Sequence, residues 1–180
     1  MICYIQLLPT PTTEVPKGTD TDEELIDAVL GASRALVAVA ARSLVHVAED
    51  VTLAQYRVLV ELAARGPQRL VELAAALGVD PSTATRMCDR LVRKGLVSRR
   101  RASADRRSVR VALAPSGRDV VADVTRRRRA ELGTVLARLP QDDRIAVLAA
   151  LRAFAGAAGE LPEQEWSLGW RPGTVPAQDG

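Results

Sequence analysis

The stretch DPSTATRMCDRLVRKG, from Asp80 to Gly95, decides the fold. Asp80 is a residue type that accepts a helix's first N–H groups. Pro81 suits the first helical position, where its missing N–H costs nothing. Gly95 suits the left-handed residue that closes a helix. Between these bounds Ala84, Met87, Cys88 and Leu91 recur at helical spacing and form one apolar stripe. On the same helical wheel Ser82, Arg86, Asp89 and Arg93 face the other way, flanked by Thr85 and Arg90. A face of Ser, Thr and Arg carries the donors that base edges and phosphates accept in a major groove. Ser82 and Thr83 also sit at a helix N-terminus, where backbone N–H groups can hold a phosphate.

The flanking segments complete a known arrangement. Upstream, Val71–Leu77 reads as a short helix with Leu73, Ala74 and Leu77 on one face, Gly78 at the turn and Val79 packing inward. Downstream the period changes to two: Val109, Val111 and Leu113 alternate with Ser108, Arg110 and Ala112. Val97 begins a partner strand into Arg99–Arg101, and the short polar connection Ala102–Arg106 predicts a hairpin. Helix, turn, helix and hairpin in this order predict a winged helix-turn-helix. Arg101, Asp105, Arg106 and Arg107 lie at and beside the hairpin tip. An arginine there can enter a minor groove, and a neighbouring carboxylate can fix its guanidinium. The plain alternative is a surface ion pair, worth about 0–1 kcal/mol.

Further out, residues 1–20 carry Pro9, Pro11, Pro16 and Gly18 and are expected to form a flexible arm. Thr21 and Glu24 form a capping-box pattern that predicts a long helix to about Val47, with Leu25, Val29, Leu36, Val37, Ala40 and Leu44 on one stripe. A second box, Thr52 with Gln55, starts a helix that Gly66–Pro67 ends. Pro115–Gly117 opens a long helix to about Leu139, and Pro140 a last one through Phe154. The division expected is 1–20 arm, 21–50 and 115–158 helical region, 51–114 winged domain and 159–180 loose tail.

Charge supports the location of the site. Residues 81–110 hold ten basic and two acidic side chains, a local +8 on a chain of +3, so the remainder carries −5. A basic module inside an acidic remainder points to a polyanion at one surface; a solvated charged face is the alternative. Cys3 and Cys88 are too few for a disulfide framework, and His46 is the only histidine, so neither metal nor cofactor is expected. No apolar run reads as long enough to span a bilayer, and Met1–Leu8 lacks the flanks of a signal peptide, which predicts a cytoplasmic protein.

From about Glu23 to Phe154 the sequence resembles the MarR family of bacterial regulators. The run from Asp105 to Gly117, DRRSVRVALAPSG, is similar to the family's D-x-R wing followed by L-T-x-x-G. Residues 82–97 are similar to its recognition helix and exit. Ala114 replaces the usual Thr, and Arg69 stands near the usual Ser/Thr cap of the first short helix. Each departure costs a helix start about 1 kcal/mol. The resemblance implies a mainly α fold: a winged helix-turn-helix with a two-stranded β-hairpin wing, and N- and C-terminal helices forming a dimerisation domain. It further implies a homodimer on a pseudopalindromic double-stranded DNA operator, repression relieved by a small-molecule effector, and an effector pocket involving Arg42, His46, Tyr56 and Val124.

Other residues read more plainly. Arg126–Arg129 point all round a helix and predict a solvated surface with ion pairs to Asp119, Asp123 or Glu131. Cys88 reads as a small core residue, and Cys3 lies too far before the first helix to match the oxidant-sensing cysteine of some MarR-like proteins. Trp166 and Trp170 are candidates to dock the tail. Two other function classes are compatible with a chain of this length. A winged helix can serve as a protein-interaction module without specific DNA binding, against which the basic outer face argues. An enzyme would need a nucleophile–base pair, paired carboxylates or a metal cluster, and the sequence offers none.

Overall fold

Local signals start and stop most of the helices in the computed structural model, which describes residues 20–45, 51–101 and 109–166. The order is α1 (Asp20–Val45), α2 (Leu53–Arg65), β1 (Gln68–Arg69), α3 (Leu70–Leu77), α4 (Pro81–Arg93), β2 (Val97–Arg101), β3 (Val109–Leu113), α5 (Pro115–Leu136) and α6 (Gln141–Ala157). A 3-10 turn, Glu163–Glu165, follows. Thr52 and Gln55 form the expected reciprocal capping box on α2. At α3 the cap position is Arg69, and its backbone N–H donates to Glu72 Oε2 at 2.8 Å, so half of a box replaces the missing Ser/Thr. That bond holds the Glu72 carboxyl below its ordinary range, and the helix start loses it only as pH falls below that range.

Gly78 ends α3 in the left-handed region, with Val79 N–H closing back onto Ala74 O at 3.0 Å. That turn swings α4 across α3 so that Cys88 and Leu91 meet Leu73 and Leu77 in one core with Leu59, Leu62, Val111, Val121 and Val124, while Ala84 is also fully buried. α5 begins against the same body. Ser116 Oγ donates to Gly95 O at 2.6 Å and Ala114 N–H to Leu96 O at 3.0 Å. A Cβ on Gly117 would lie 2.1 Å from Leu96 O and 2.9 Å from Leu113 Cδ1, so only glycine fits there.

Several expectations need correction. The wing sheet has three strands, in the order β1-β3-β2, rather than a two-stranded hairpin alone; Gln68 pairs with Val111 and Arg69 with Arg110. Two residues carry no period, so β1 exists through its partner and not through its sequence. α1 begins at Asp20, which places Thr21 inside its first turn and not at its cap. Asp80 occupies the cap of α4 in extended conformation but makes no side-chain cap bond. α1 is also long and apolar enough to cross a membrane by length and composition, with mean hydropathy 1.6 over 18 residues, because its many Ala residues add to the index of its Val and Leu. Much of its stripe is exposed: Leu25, Ile26, Leu30, Leu36 and Val37 stand at the surface.

The expected loose tail is docked over its first part. Trp166 is partly buried against the core and donates from Nε1 to Leu161 O at 3.1 Å. Arg57 pairs with Glu160, Arg129 with Glu163, and Arg65 Nη2 donates to Gly159 O at 3.1 Å. These contacts tie the end of α6 to α2 and α5.

Gly117→Ala is expected to lower stability by about 1–3 kcal/mol through overpacking against fixed backbone. Gly133→Ala, which meets nothing within 4 Å on the same helix, should leave stability unchanged or raise it by up to about 1 kcal/mol. Urea denaturation of both variants checks the contrast, and equal midpoints would refute the close-approach account.

Candidate nucleic-acid interface

The buried stripe of α4 fixes which side chains face out. With Ala84, Cys88 and Leu91 sealed, Ser82, Arg86, Arg90 and Arg93 are exposed, and Thr83, Thr85 and Asp89 are half-buried. Arg86 Nη2 donates to Thr83 Oγ1 at 3.1 Å, and Thr85 Oγ1 donates to Pro81 O at 2.7 Å. The first bond holds the Arg86 guanidinium close to the helix N-terminus. Thr85 has its hydroxyl proton committed to the backbone and can offer an incoming group only its acceptor.

Asp89 behaves differently from what its place on the wheel suggests. It is ion-paired with Arg99 on β2, so it ties the helix to the wing instead of standing free on the outer face. Arg99 is a site residue that sequence reading did not select. Its signal was present in part, since a lone acid amid arginines needs a counter-charge, but the partner ten residues away depends on the strand's path. Arg101 lies in β2 opposite Val109. Asp105, Arg106 and Arg107 lie outside the described residues, as do His46 and Cys3.

The MarR family model matches residues 51–109. The chain is 34% identical over 99 residues to the multiple antibiotic resistance protein MarR of Salmonella typhimurium, covering 55% of this chain and 69% of that protein. It is 31% identical over 117 residues to the HTH-type transcriptional repressor MdtR of Bacillus subtilis, covering 65% and 75%. The crystal structure of RV1404 from Mycobacterium tuberculosis superposes with a TM-score of 0.75 at 41% identity, covering 81% of this chain and 99% of that one. This chain belongs to the MarR family. It is a winged-helix DNA-binding transcription regulator, and MarR-family proteins are regulators and not enzymes.

Of the four residues named for an effector pocket in this MarR-family chain, His46 lies outside the described residues and the other three do not line one cleft. Tyr56 and Val124 are buried in the core. The Tyr56 hydroxyl is bonded to Thr125, and Arg128 lies 5.6 Å from its ring centroid; burial raises its pKa against the lowering effect of Arg128. Arg42 is on the surface, with Nε donating to Glu131 Oε1 at 2.7 Å. It lines a separate cleft of about 430 Å³ with Ser43, Arg127, Ala130, Glu131 and Thr134. The apolar spacing gave the inner face of each helix but not which inner residues the core would close over.

Cys88 sits on the inner stripe of the recognition helix, fully buried, and burial pushes its thiol up to about 11. The raised value means that stability gained by keeping the thiol neutral is present below about pH 9 and is lost as pH rises towards 11. A Cys3→Ser protein should therefore resist Ellman's reagent at pH 8 while folded and react with one equivalent in guanidinium. Fast reaction of the folded protein would show that α4 is not seated as described.

Proposed function

We propose that the protein is an effector-relieved repressor that binds a pseudopalindromic operator as a homodimer. The observation that carries this reading is the outer face of α4. A fully buried stripe forces Ser82, Arg86, Arg90 and Arg93 outward on a module carrying +8. Arg86 and Arg90, with Ser82, Thr83 and Arg93, enter the major groove; Arg101, Arg106 and Arg107, with Asp105, belong to the wing that contacts the minor groove beside it. Phosphate contacts supply most of the affinity and make it fall with salt.

Dimerisation is supported by what the protomer leaves uncovered. No residue of α6 is buried, and Ile145, Leu148, Leu151 and Phe154 are exposed, as is the apolar stripe of α1. Residues 20–45 and 115–158 form the dimerisation region and 51–114 the winged domain. Two recognition helices then address half-sites about one DNA turn, roughly 34 Å, apart. The exposed apolar stripe of α1 is accounted for by a partner helix, with no membrane involved, and the protein acts in the cytoplasm where its DNA is. The similarity to a repressor, MdtR, supports repression. The effector enters beside the dimerisation helices, at the cleft of Arg42, Arg127 and Glu131 between α1 and α5, and favours a half-site spacing that no longer fits the operator.

In gel shifts with DNA flanking its own gene, Arg86→Ala should weaken operator binding by about 5- to 150-fold, the 1–3 kcal/mol of a base contact, and relax sequence preference. Leu148→Glu with Phe154→Glu should give monomers in sedimentation and lose cooperative operator binding. Unchanged binding by folded, dimeric Arg86→Ala and Arg107→Ala proteins would remove the reading. Binding of a protein partner with no DNA binding at low salt would favour the interaction-module alternative.

A further inference from the structure

The register of the wing sheet places three arginines in one row. Arg69 on β1 stands opposite Arg110 on β3, and Arg110 stands opposite Arg100 on β2. Directly paired residues on antiparallel strands have Cβ atoms about 4.5–5.5 Å apart, where like charges destabilise the sheet. Arg69 and Arg110 are exposed. Among the described residues one carboxylate faces them: Glu72 pairs with Arg69 Nε at 3.0 Å and also feels the charge of Arg110. Arg110 Nη1 donates to Pro67 O at 3.2 Å, which holds its guanidinium towards β1. Among the described side chains, Arg69 and Arg110 set two cations against one acid, a net +1 beside the register position of Arg100.

We infer that this row is a phosphate-binding track, taking the DNA backbone beside the base pairs that α4 reads. The inference rests on the DNA-binding reading above and extends its footprint. The row crosses the sheet at the base of the wing, one register step from the pair Arg101–Val109 that leads to the tip. With strands about 4.8 Å apart it spans about 10 Å. A DNA strand presents one phosphate per 3.4 Å of axis, so such a row can engage about two or three phosphates of a single strand. Arginine matches a phosphate with two parallel N–H donors, and an anion on the row removes the repulsion that its register creates. The role is positioning: the track carries no base information and sets how the wing lies along the backbone.

The test is the salt dependence of binding to a 40-base-pair random-sequence duplex, read by fluorescence anisotropy between 50 and 200 mM KCl. Arg69→Gln with Arg110→Gln should reduce the slope of log affinity against log salt by about 1.8 and weaken binding at 100 mM about 10-fold. The same protein should melt no lower than wild type, because repulsion is relieved. Arg69→Lys with Arg110→Lys should retain most of the slope, and Arg126→Gln, remote on α5, all of it. An unchanged slope in the double Gln protein, with Arg86→Ala impaired, overturns the track and leaves the DNA-binding reading standing. A wild-type protein that binds no duplex at 50 mM salt overturns both.

Discussion

The backbone of Leu96 is where the reading head is joined to the rest of the molecule. Its N–H closes onto Leu91 O at 3.0 Å and, with Gly95 N–H on Val92 O at 2.9 Å, ends the recognition helix. Its carbonyl accepts the N–H of Ala114 and lies under Gly117, where any side chain would collide. One residue thus ends α4, precedes β2 and seats the start of α5. Each hydrogen bond adds only about 0.5–1.5 kcal/mol net. The geometric constraint is stronger, because displacing α5 would break the bonds that set the end of α4. The start of α5 and the end of α4 are therefore held to each other through packed backbone.

The other end of the molecule is built to the opposite plan. α6 buries none of its residues within the protomer and is held mainly at its ends. At its start Arg144 donates to Leu139 O and Ala137 O, both at 3.0 Å, and at its end the Arg57–Glu160 pair and the Arg65–Gly159 bond fasten it to α2. Exposed ion pairs contribute little individually, so the partly buried Trp166 is the main anchor of this tie. A firmly packed head with end-tethered arms can change the angle between head and arms at small energetic cost, whereas bending within the head would open its core.

What the sequence made legible follows from how local each signal is. The bounds of α4, the box on α2 and the pairing of Val97–Arg101 with Val109–Leu113 depend on neighbouring residues, and all three stand. Thr21 offered an equally good pattern, yet the helix starts one residue earlier, since flanking Asp20 and Asp22 suit the first turn as well. β1 was illegible because its two residues become a strand only beside Val111 and Arg110. The partner of Asp89 was illegible because a helical wheel gives direction and not partners, and Arg99 arrives from another element. Tyr56 and Val124 show the same limit: periodicity assigns an inner face, and three-dimensional packing decides whether that face is core or cleft.

The arginines show why a charge count alone could not have drawn the interface. Arg126–Arg129 are consecutive and basic, yet Arg126 pairs with Asp123, Arg128 lies over Tyr56, Arg129 fastens the tail through Glu163, and Arg127 lines the α1–α5 cleft. A helix turns about 100° per residue, so four adjacent cations are sent to four environments and cannot act as one surface. A sheet does the reverse. Arg69, Arg110 and Arg100 are far apart in the chain, and pairing brings them into register across three strands. Of the local +8, Arg99 is held by Asp89 and serves the joint between helix and wing. The charge free to meet DNA is what remains after such internal pairing. On the proposed reading that remainder lies on two elements, the outer face of α4 and the arginine row across the sheet.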